Sequence, residues 1–319
     1  MSKLSVVIPV WNEEEAIAQV VERVLSVAGA LRQRARITEL EVLVVDDGST
    51  DGTARVVRQL ALREARGKKQ VRLLQHGANR GYGAALQTGF KAATGNLLAF
   101  LDADCTYPPE HLPDLCSALT PDTALVVGDR LHGPSSAMPA LRRLGNRFFA
   151  ALVSLLTQRP ALDCCSGMRV MPASTWRALG RLPDGLDFTP AMTVRALLAG
   201  LNVAQVAIPY HQRLGRSKLK VLRDGVRFLR SILREAQACE PGRLWAALGM
   251  LAALPALSLG AGVAALEAAP HSPWAAWGLG ALAGAPWFLA GWSLAVGAAR
   301  QDLAPRAAGR RAVEQERVT

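Results

Sequence analysis

The stretch EVLVVDDGSTDGT, residues 41–53, decides the fold class. Val42, Leu43, Val44 and Val45 form an unbroken apolar run. Such a run suits a strand buried on both faces, not one with a wet side. Asp46 and Asp47 end it, Gly48 permits a tight turn, and Ser49, Asp51 and Thr53 can each cap a following helix. A doubly buried strand that leads straight into a helix start implies a crossover connection and a parallel sheet. Open sheets of that kind bind ligands beyond the C-terminal ends of their strands. Asp46 and Asp47 therefore stand where a base or a ribose could be held, although a strand-to-helix turn without a ligand would use the same residues.

The same alternation extends in both directions. Upstream, residues 4–10 (LSVVIPV) read as a buried strand, and Asn12 can cap one helix over about 13–34 whose first turn is acidic. Downstream, a basic helix opened by Ser49 or Asp51 runs to about residue 66, and residues 71–75 form a third strand. The glycine-rich NRGYG leads into a helix over 84–93. Strands over 96–101 and 124–128 follow. Beyond Arg130 the pattern predicts a helix over 139–157, a strand over 166–171, a helix over 191–198 and a strand over 203–208. The fold class is α/β with a mostly parallel sheet.

Two further turns fall after strands and so converge on the same sheet edge. FLDADCTYPPE (100–110) ends an apolar run on Asp102, places Asp104 two residues on, and stops at Pro108 and Pro109. Two hard oxygen donors of like charge at close range suit a divalent cation, Mg²⁺ or Mn²⁺, that would bridge a diphosphate. NRGYGAALQTGF (79–90) puts glycines before a helix start, where backbone N–H groups can meet phosphate. It is neither a P-loop nor the dinucleotide fingerprint, which disfavours an ATPase or a dehydrogenase.

The bulk numbers narrow the partners. Net charge is +11 with a pI of about 10.1, which points to anionic partners: phosphorylated substrates, anionic lipid or nucleic acid. Half of the 319 residues are hydrophobic and mean hydropathy is +0.16, which adds membrane contact. Five scattered cysteines without CxxC or zinc spacing argue for a reducing compartment and against a disulfide framework. The N-terminal apolar run is short and meets Glu13, Glu14 and Glu15 at once, unlike a signal peptide, so the first part of the chain is expected in the cytoplasm.

The C-terminal third has its own character. Leu219, Leu222, Val226, Leu229 and Leu233 recur at spacings of three and four among arginines, which predicts a basic amphipathic helix over 218–239 of the type that lies in a membrane interface. Residues 240–303 then hold two uncharged stretches, about 244–266 and 274–299, each long enough to cross a bilayer. Arg243 before the first and Arg300, Arg306, Arg310 and Arg311 after the second put both ends in the cytoplasm under the positive-inside rule. Residues 304–319 read as a basic, disordered tail, and residues 1–217 as the α/β domain.

Taken in order, IPVWNEEE, VVDDGSTDGT, NRGYGAALQTGF and LDADCTYPPE resemble the inverting family 2 glycosyltransferases of the GT-A fold, a Rossmann-like architecture. VVGDR (126–130), LRRLGNRFFA (141–150), DCCSGMRV (163–170) and IPYHQRLGRSKL (208–219) resemble the branch that serves dolichyl or polyprenyl phosphate. The resemblance covers about residues 4–235. It implies that Pro9, Trp11 and Glu13 hold the nucleoside, with Trp11 standing where a tyrosine is usual. It implies that Asp47 contacts the base and that Gly81 belongs to the donor-binding turn. Asp102 and Asp104 match the pair that contacts ribose and metal. Arg130, Arg147 and Ser166 match residues that grip the lipid phosphate, and Arg213 and Lys218 match basic residues on the phosphates. Two departures stand out: Thr106 replaces a glutamine that often completes the metal shell, and Tyr82 replaces a frequent lysine.

The expected reaction is transfer of a sugar from a GDP- or UDP-linked donor to a polyprenyl phosphate at the inner membrane face. The partners are then the donor, the lipid acceptor and the bilayer, and not nucleic acid. Asp163 and Asp187 are candidate orienting residues. A glycan hydroxyl acceptor, or a non-catalytic nucleotide-sugar scaffold, are the alternatives.

Overall fold

Seven of the nine residues of the first strand, β1 (Ser2–Val10), are buried, from Leu4 onward, as a central strand requires. The computed structural model describes residues 2–64, 70–161, 163–215, 221–239 and 241–242. These all belong to one compact unit, residues 1–244. The two expected spans, the tail and Lys218 lie outside the described residues. Among the described residues, no helix is long and apolar enough to cross a membrane.

The helix expected over 13–34 is two helices, α1 (Ile17–Ser26) and α2 (Ala28–Ala35), which meet at Val27. Asn12 does not cap them. Its φ of +52° turns the chain away. Its N–H donates to Ser49 Oγ at 2.9 Å, and its Oδ1 accepts from Thr50 N at 2.8 Å. The side chain spent on stitching two loops together is unavailable to a helix end.

β2 (Ile37–Asp46) follows, then α3 (Thr53–Glu64), with Asp51 accepting from both N and Oγ1 of Thr53. β3 (Gln70–Gln75), α4 (Tyr82–Ala92) and β4 (Leu97–Phe100) complete the first half. The short α5 (Leu112–Ser117), which the sequence pattern did not suggest, precedes β5 (Leu125–Asp129). Then come α6 (Ala140–Thr157), β6 (Arg169–Pro172), α7 (Ala173–Leu179), α8 (Phe188–Leu198), β7 (Val203–Ala207) and α9 (Val221–Cys239).

The strands form one sheet in the order β3-β2-β1-β4-β6-β5-β7. β1 pairs parallel with β2 and β4, β2 with β3, and β5 with β7. β6 runs antiparallel to β4 and β5. The reversal brings the start of β6 to the edge where β1, β2, β4 and β5 end. Side chains alternate between two cores: Val6 and Ile8 pack with α1 on one face, and Val7 packs with Phe90 of α4 and Phe188 of α8 on the other. Both faces are covered, as the apolar strands demand.

α9 is amphipathic, but the stripe read from the sequence is not the buried one. Phe228, Ile232 and Ala236 are buried, whereas Val226 is 48% exposed. The helix is fastened to the domain by the Phe149–Phe228 ring contact to α6 and by Arg195 of α8, whose Nε and Nη2 hold the Glu235 carboxylate at 2.8 and 2.7 Å. A helix can carry two neighbouring apolar faces, and packing against α6 and α8 selected the one with Phe228.

Candidate active site

Five chain segments meet at the C-terminal edge of the sheet: the ends of β1, β2, β4 and β5 and the loop before β6. They open into a cavity of about 1060 Å³.

Asp47 lines this cavity, yet it is 3% exposed and its oxygens are engaged. Oδ1 accepts from Arg80 N at 2.9 Å and meets His76 Nδ1 at 2.7 Å, and Oδ2 accepts from Gly81 N at 2.8 Å. In this structure its bonds fold the glycine-rich turn. That turn needs glycine, since Gly81 has φ +109° and an added Cβ would lie 2.4 Å from Asp184 O. Pro9, Trp11, Glu13 and Gly81 line the cavity beside it.

Asp102 and Asp104 also line the cavity. Tyr82 Oη donates to Asp102 Oδ1 at 2.7 Å. Burial first, and the Asp104 charge second, push the Asp102 carboxyl up to about 7. Asp102 retains some solvent access while its carboxylate is enclosed by the cavity walls. Burial also raises the Tyr82 phenol well above its usual range, so it is a donor and not a phenolate. Thr106 donates from both N and Oγ1 to Asp104 Oδ1, at 3.1 and 2.5 Å. Its hydroxyl is thus turned onto the carboxylate.

Arg213 spans two acids: Nη1 is 3.0 Å from Asp104 Oδ2, and Nη2 donates to Glu13 Oε1 at 2.7 Å. Its buried Nε has no hydrogen-bond partner among the described residues. Two carboxylates that repel inside an enclosed site, one with its pKa raised, form a donor set that suits a hard divalent cation. No cluster of three or more acidic, histidine or cysteine ligands occurs among the described residues, so substrate oxygens and water would have to complete the shell.

Arg130 is the most enclosed cation that lines the cavity. Nε and Nη2 grip Asp163 at 2.7 and 2.8 Å, and its backbone N–H adds a third bond to the same carboxylate. The guanidinium carbon lies 5.6 Å from the Tyr107 ring centre and 5.4 Å from that of Tyr210. Burial opposes its charge, but the Asp163 carboxylate outweighs that and holds Arg130 well above its usual range.

The loop 163–168 is built on Arg169, which is fully buried. Its Nε donates to Ser166 O at 3.0 Å, Nη2 to Cys164 O at 2.7 Å, and Nη1 to Thr193 Oγ1 at 2.9 Å. These bonds hold residues 163–168 as a loop, and β6 starts later than expected.

Three expected residues stand apart. Ser166 is 0% exposed and does not line the cavity; Cys165 and Gly167 do. Arg147 is exposed and also absent from the lining, where Arg142, five residues earlier on α6 and so on a different face, is present. Lys218 lies outside the described residues. Asp187 is not part of the lining either, whereas Asp163 orients Arg130. Sequence reasoning missed Tyr107, Arg142, Tyr210, Arg223 and Arg227, all of which face the cavity. The basic stretch over 218–238 was the available signal for the last two.

The chain matches the family described as Glycosyl transferase family 2 over residues 5–177. The chain belongs to glycosyl transferase family 2. This family 2 member is 31% identical over 253 residues to a low-salt glycan biosynthesis hexosyltransferase of Haloferax volcanii, covering 77% of this chain and 56% of that one. The chain therefore spans about half the length of that relative. To a dolichyl-phosphate hexose transferase of the same organism it is 30% identical over 233 residues, or 72% of this chain and 92% of the relative. To the undecaprenyl-phosphate 4-deoxy-4-formamido-L-arabinose transferase of Proteus mirabilis it is 34% identical over 165 residues, 51% of this chain and 47% of the relative. Among solved structures, glucosyl-3-phosphoglycerate synthase from Mycobacterium tuberculosis, in complex with Mn²⁺, UDP and glucosyl-3-phosphoglycerate, superposes with a TM-score of 0.55 at 20% identity, over 74% of this chain and 80% of that one. That likeness is one of fold, a GT-A-like α/β domain.

Proposed function

We propose that this family 2 member moves one sugar from a GDP- or UDP-linked donor to a polyprenyl phosphate at the cytoplasmic face of a membrane, with inversion at the anomeric carbon. The composition of the cavity wall carries the reading. Arg142, Arg223 and Arg227 line it together with Leu141, Leu144 and Phe148, which are exposed on α6. Guanidinium groups bind phosphate in a bidentate way, and the apolar ridge beside them suits a hydrocarbon chain. Relatives named as dolichyl-phosphate and undecaprenyl-phosphate transferases support the same acceptor class.

A phosphate monoester is mostly dianionic at neutral pH, with its second pKa at about 6. Its oxygen can attack without a strong base. A hydroxyl acceptor would need a placed carboxylate, and Asp47, Asp102, Asp104 and Glu13 already accept hydrogen bonds or face Arg213. Trp11 and Glu13 would hold the nucleoside on the β1 side, with the glycine-rich turn, folded onto Asp47, as the adjoining wall at Gly81. Arg213 and Arg130 would place positive charge between two phosphates that otherwise repel. Asp102 and Asp104 would hold Mg²⁺ or Mn²⁺, which when bound stabilises charge on the departing diphosphate. The structural neighbour's complex with Mn²⁺ and UDP supports a divalent cation. Arg223, Arg230 and Arg234, exposed on α9, would meet anionic headgroups, and residues 244–266 and 274–299 would anchor the chain.

Membranes that contain the protein are incubated with labelled nucleotide-sugars and undecaprenyl phosphate, and the lipid extract is read by mass spectrometry. A lipid-linked monosaccharide is the expected product. Label in polymer alone, or nucleotide release with no lipid product, would overturn the acceptor assignment.

A further inference from the structure

Cys164 and Cys165 are neighbours in the chain, and their sulfurs lie 3.7 Å apart. Cys164 is 1% exposed, whereas Cys165 is half-buried and lines the cavity. Among the described residues this is the one pair of cysteine sulfurs in contact. It sits in the loop whose previous residue, Asp163, holds Arg130 with three hydrogen bonds. The carbonyl between the two thiols is also the one that Arg169 Nη2 and Thr193 Oγ1 grip, at 2.7 and 3.3 Å.

We infer that Cys164 and Cys165 form a dithiol modification site that takes a peroxide as oxidant, closes to a vicinal disulfide, and releases Arg130 from its place in the cavity. In the first step the Cys165 sulfur attacks one peroxide oxygen. The O–O bond breaks, Cys165 becomes a sulfenic acid, and the departing hydroxide takes the thiol proton as water. In the second step the Cys164 sulfur attacks the Cys165 sulfur, the S–O bond breaks, and hydroxide leaves with the Cys164 proton as a second water. Two thiols are oxidised by two electrons and one hydrogen peroxide is reduced to two waters.

The order of attack follows from placement, since only Cys165 faces the cavity. Contact with Cys165 and then burial push the Cys164 thiol well above its usual range, which suits a resolving partner and not the first nucleophile. To bond, the sulfurs must close from 3.7 Å to a bond length of about 2.0 Å. The peptide between them has to turn, and its carbonyl loses Arg169 and Thr193. Asp163, one residue away, moves with it. Neighbouring Cα atoms sit about 3.8 Å apart, closer than disulfides prefer, so the ring is readily reduced.

The test uses the full chain, treated with hydrogen peroxide, alkylated with iodoacetamide and digested with trypsin. The peptide that ends at Arg169 is expected two hydrogens lighter and unlabelled, and dithiothreitol before alkylation restores two labels. Cys165→Ser is expected to abolish the mass change. Two labels after peroxide, or a sulfinic acid on Cys165 beside a labelled Cys164, would overturn the site.

The transfer readout rests on the function proposed above. There, oxidation is expected to cost on the order of 100-fold, the scale of a misplaced binding group. Dithiothreitol should restore the loss, and Cys165→Ser, normalised to its own untreated rate, should not show it. Full transfer by protein whose mass proves the disulfide would overturn the release of Arg130. An assay silent before oxidation would count against the acceptor reading alone, because the mass result stands by itself.

Discussion

Asp163→Ala removes the only carboxylate that Arg130 touches among the described residues, and leaves a buried guanidinium unpaired. Removing one partner of a buried ion pair costs about 3–5 kcal/mol. Tyr107 and Tyr210 still face the cation, and such contacts are worth about 0.5–2 kcal/mol each. The loss should therefore lie near the lower end, about 3–4 kcal/mol. For a domain of this size each kcal/mol moves Tm by about 2–4 °C, so the apparent Tm should fall by about 6–16 °C. The assay is thermal denaturation of the full chain in detergent, followed by circular dichroism. A second variant separates the lost charge from lost volume. Arg130→Met with Asp163→Leu replaces the pair by apolar side chains of similar size, and such swaps are often neutral or stabilising. The double variant should melt well above Asp163→Ala. A single variant within about 1 °C of the parent, or a double variant no better than the single, would refute the claim that an unpaired Arg130 sets the cost.

On α6, Arg142→Gln should lower transfer kcat/KM by about 10–100-fold, the loss expected for a hydrogen bond to a charged group, and Arg147→Gln by less than about threefold; the reverse order would restore the sequence-based choice. Gly167→Ala places a Cβ 2.7 Å from both Asp102 carboxylate oxygens. It should weaken Mn²⁺ binding, read by calorimetric titration, by about tenfold or more without loss of the fold. Unchanged binding would show that Asp102 can move without consequence. The Asp102 carboxyl titrates at about 7 in the folded chain, against about 3.9 when unfolded. The native state therefore binds the extra proton between those values, and the stability this confers is full below about pH 4 and lost as pH rises through about 7. The apparent Tm of metal-stripped protein should fall relative to Asp102→Asn across that window, and a parallel pH course would contradict it.

The sequence by itself determined the alternation of buried strands and helices and the positions of the acidic and glycine turns. Those features are local: a run of valines, a capping residue and a glycine act within a few residues. For the same reason Asp102, Asp104 and Asp47 could be placed at one sheet edge from strand order alone. The helix break at Val27, the reversed β6 and the buried face of α9 were not legible, because each depends on a distant packing partner. Tertiary structure also decided which charge meets which. Arg213 reaches Glu13 across 200 residues of chain, Arg130 is held in the cavity wall by Asp163, and Arg142 rather than Arg147 enters the cavity wall. An isolated motif shows that a cation is present. Its partner is set by distance through space and by the desolvation of both groups, and only the folded chain supplies those.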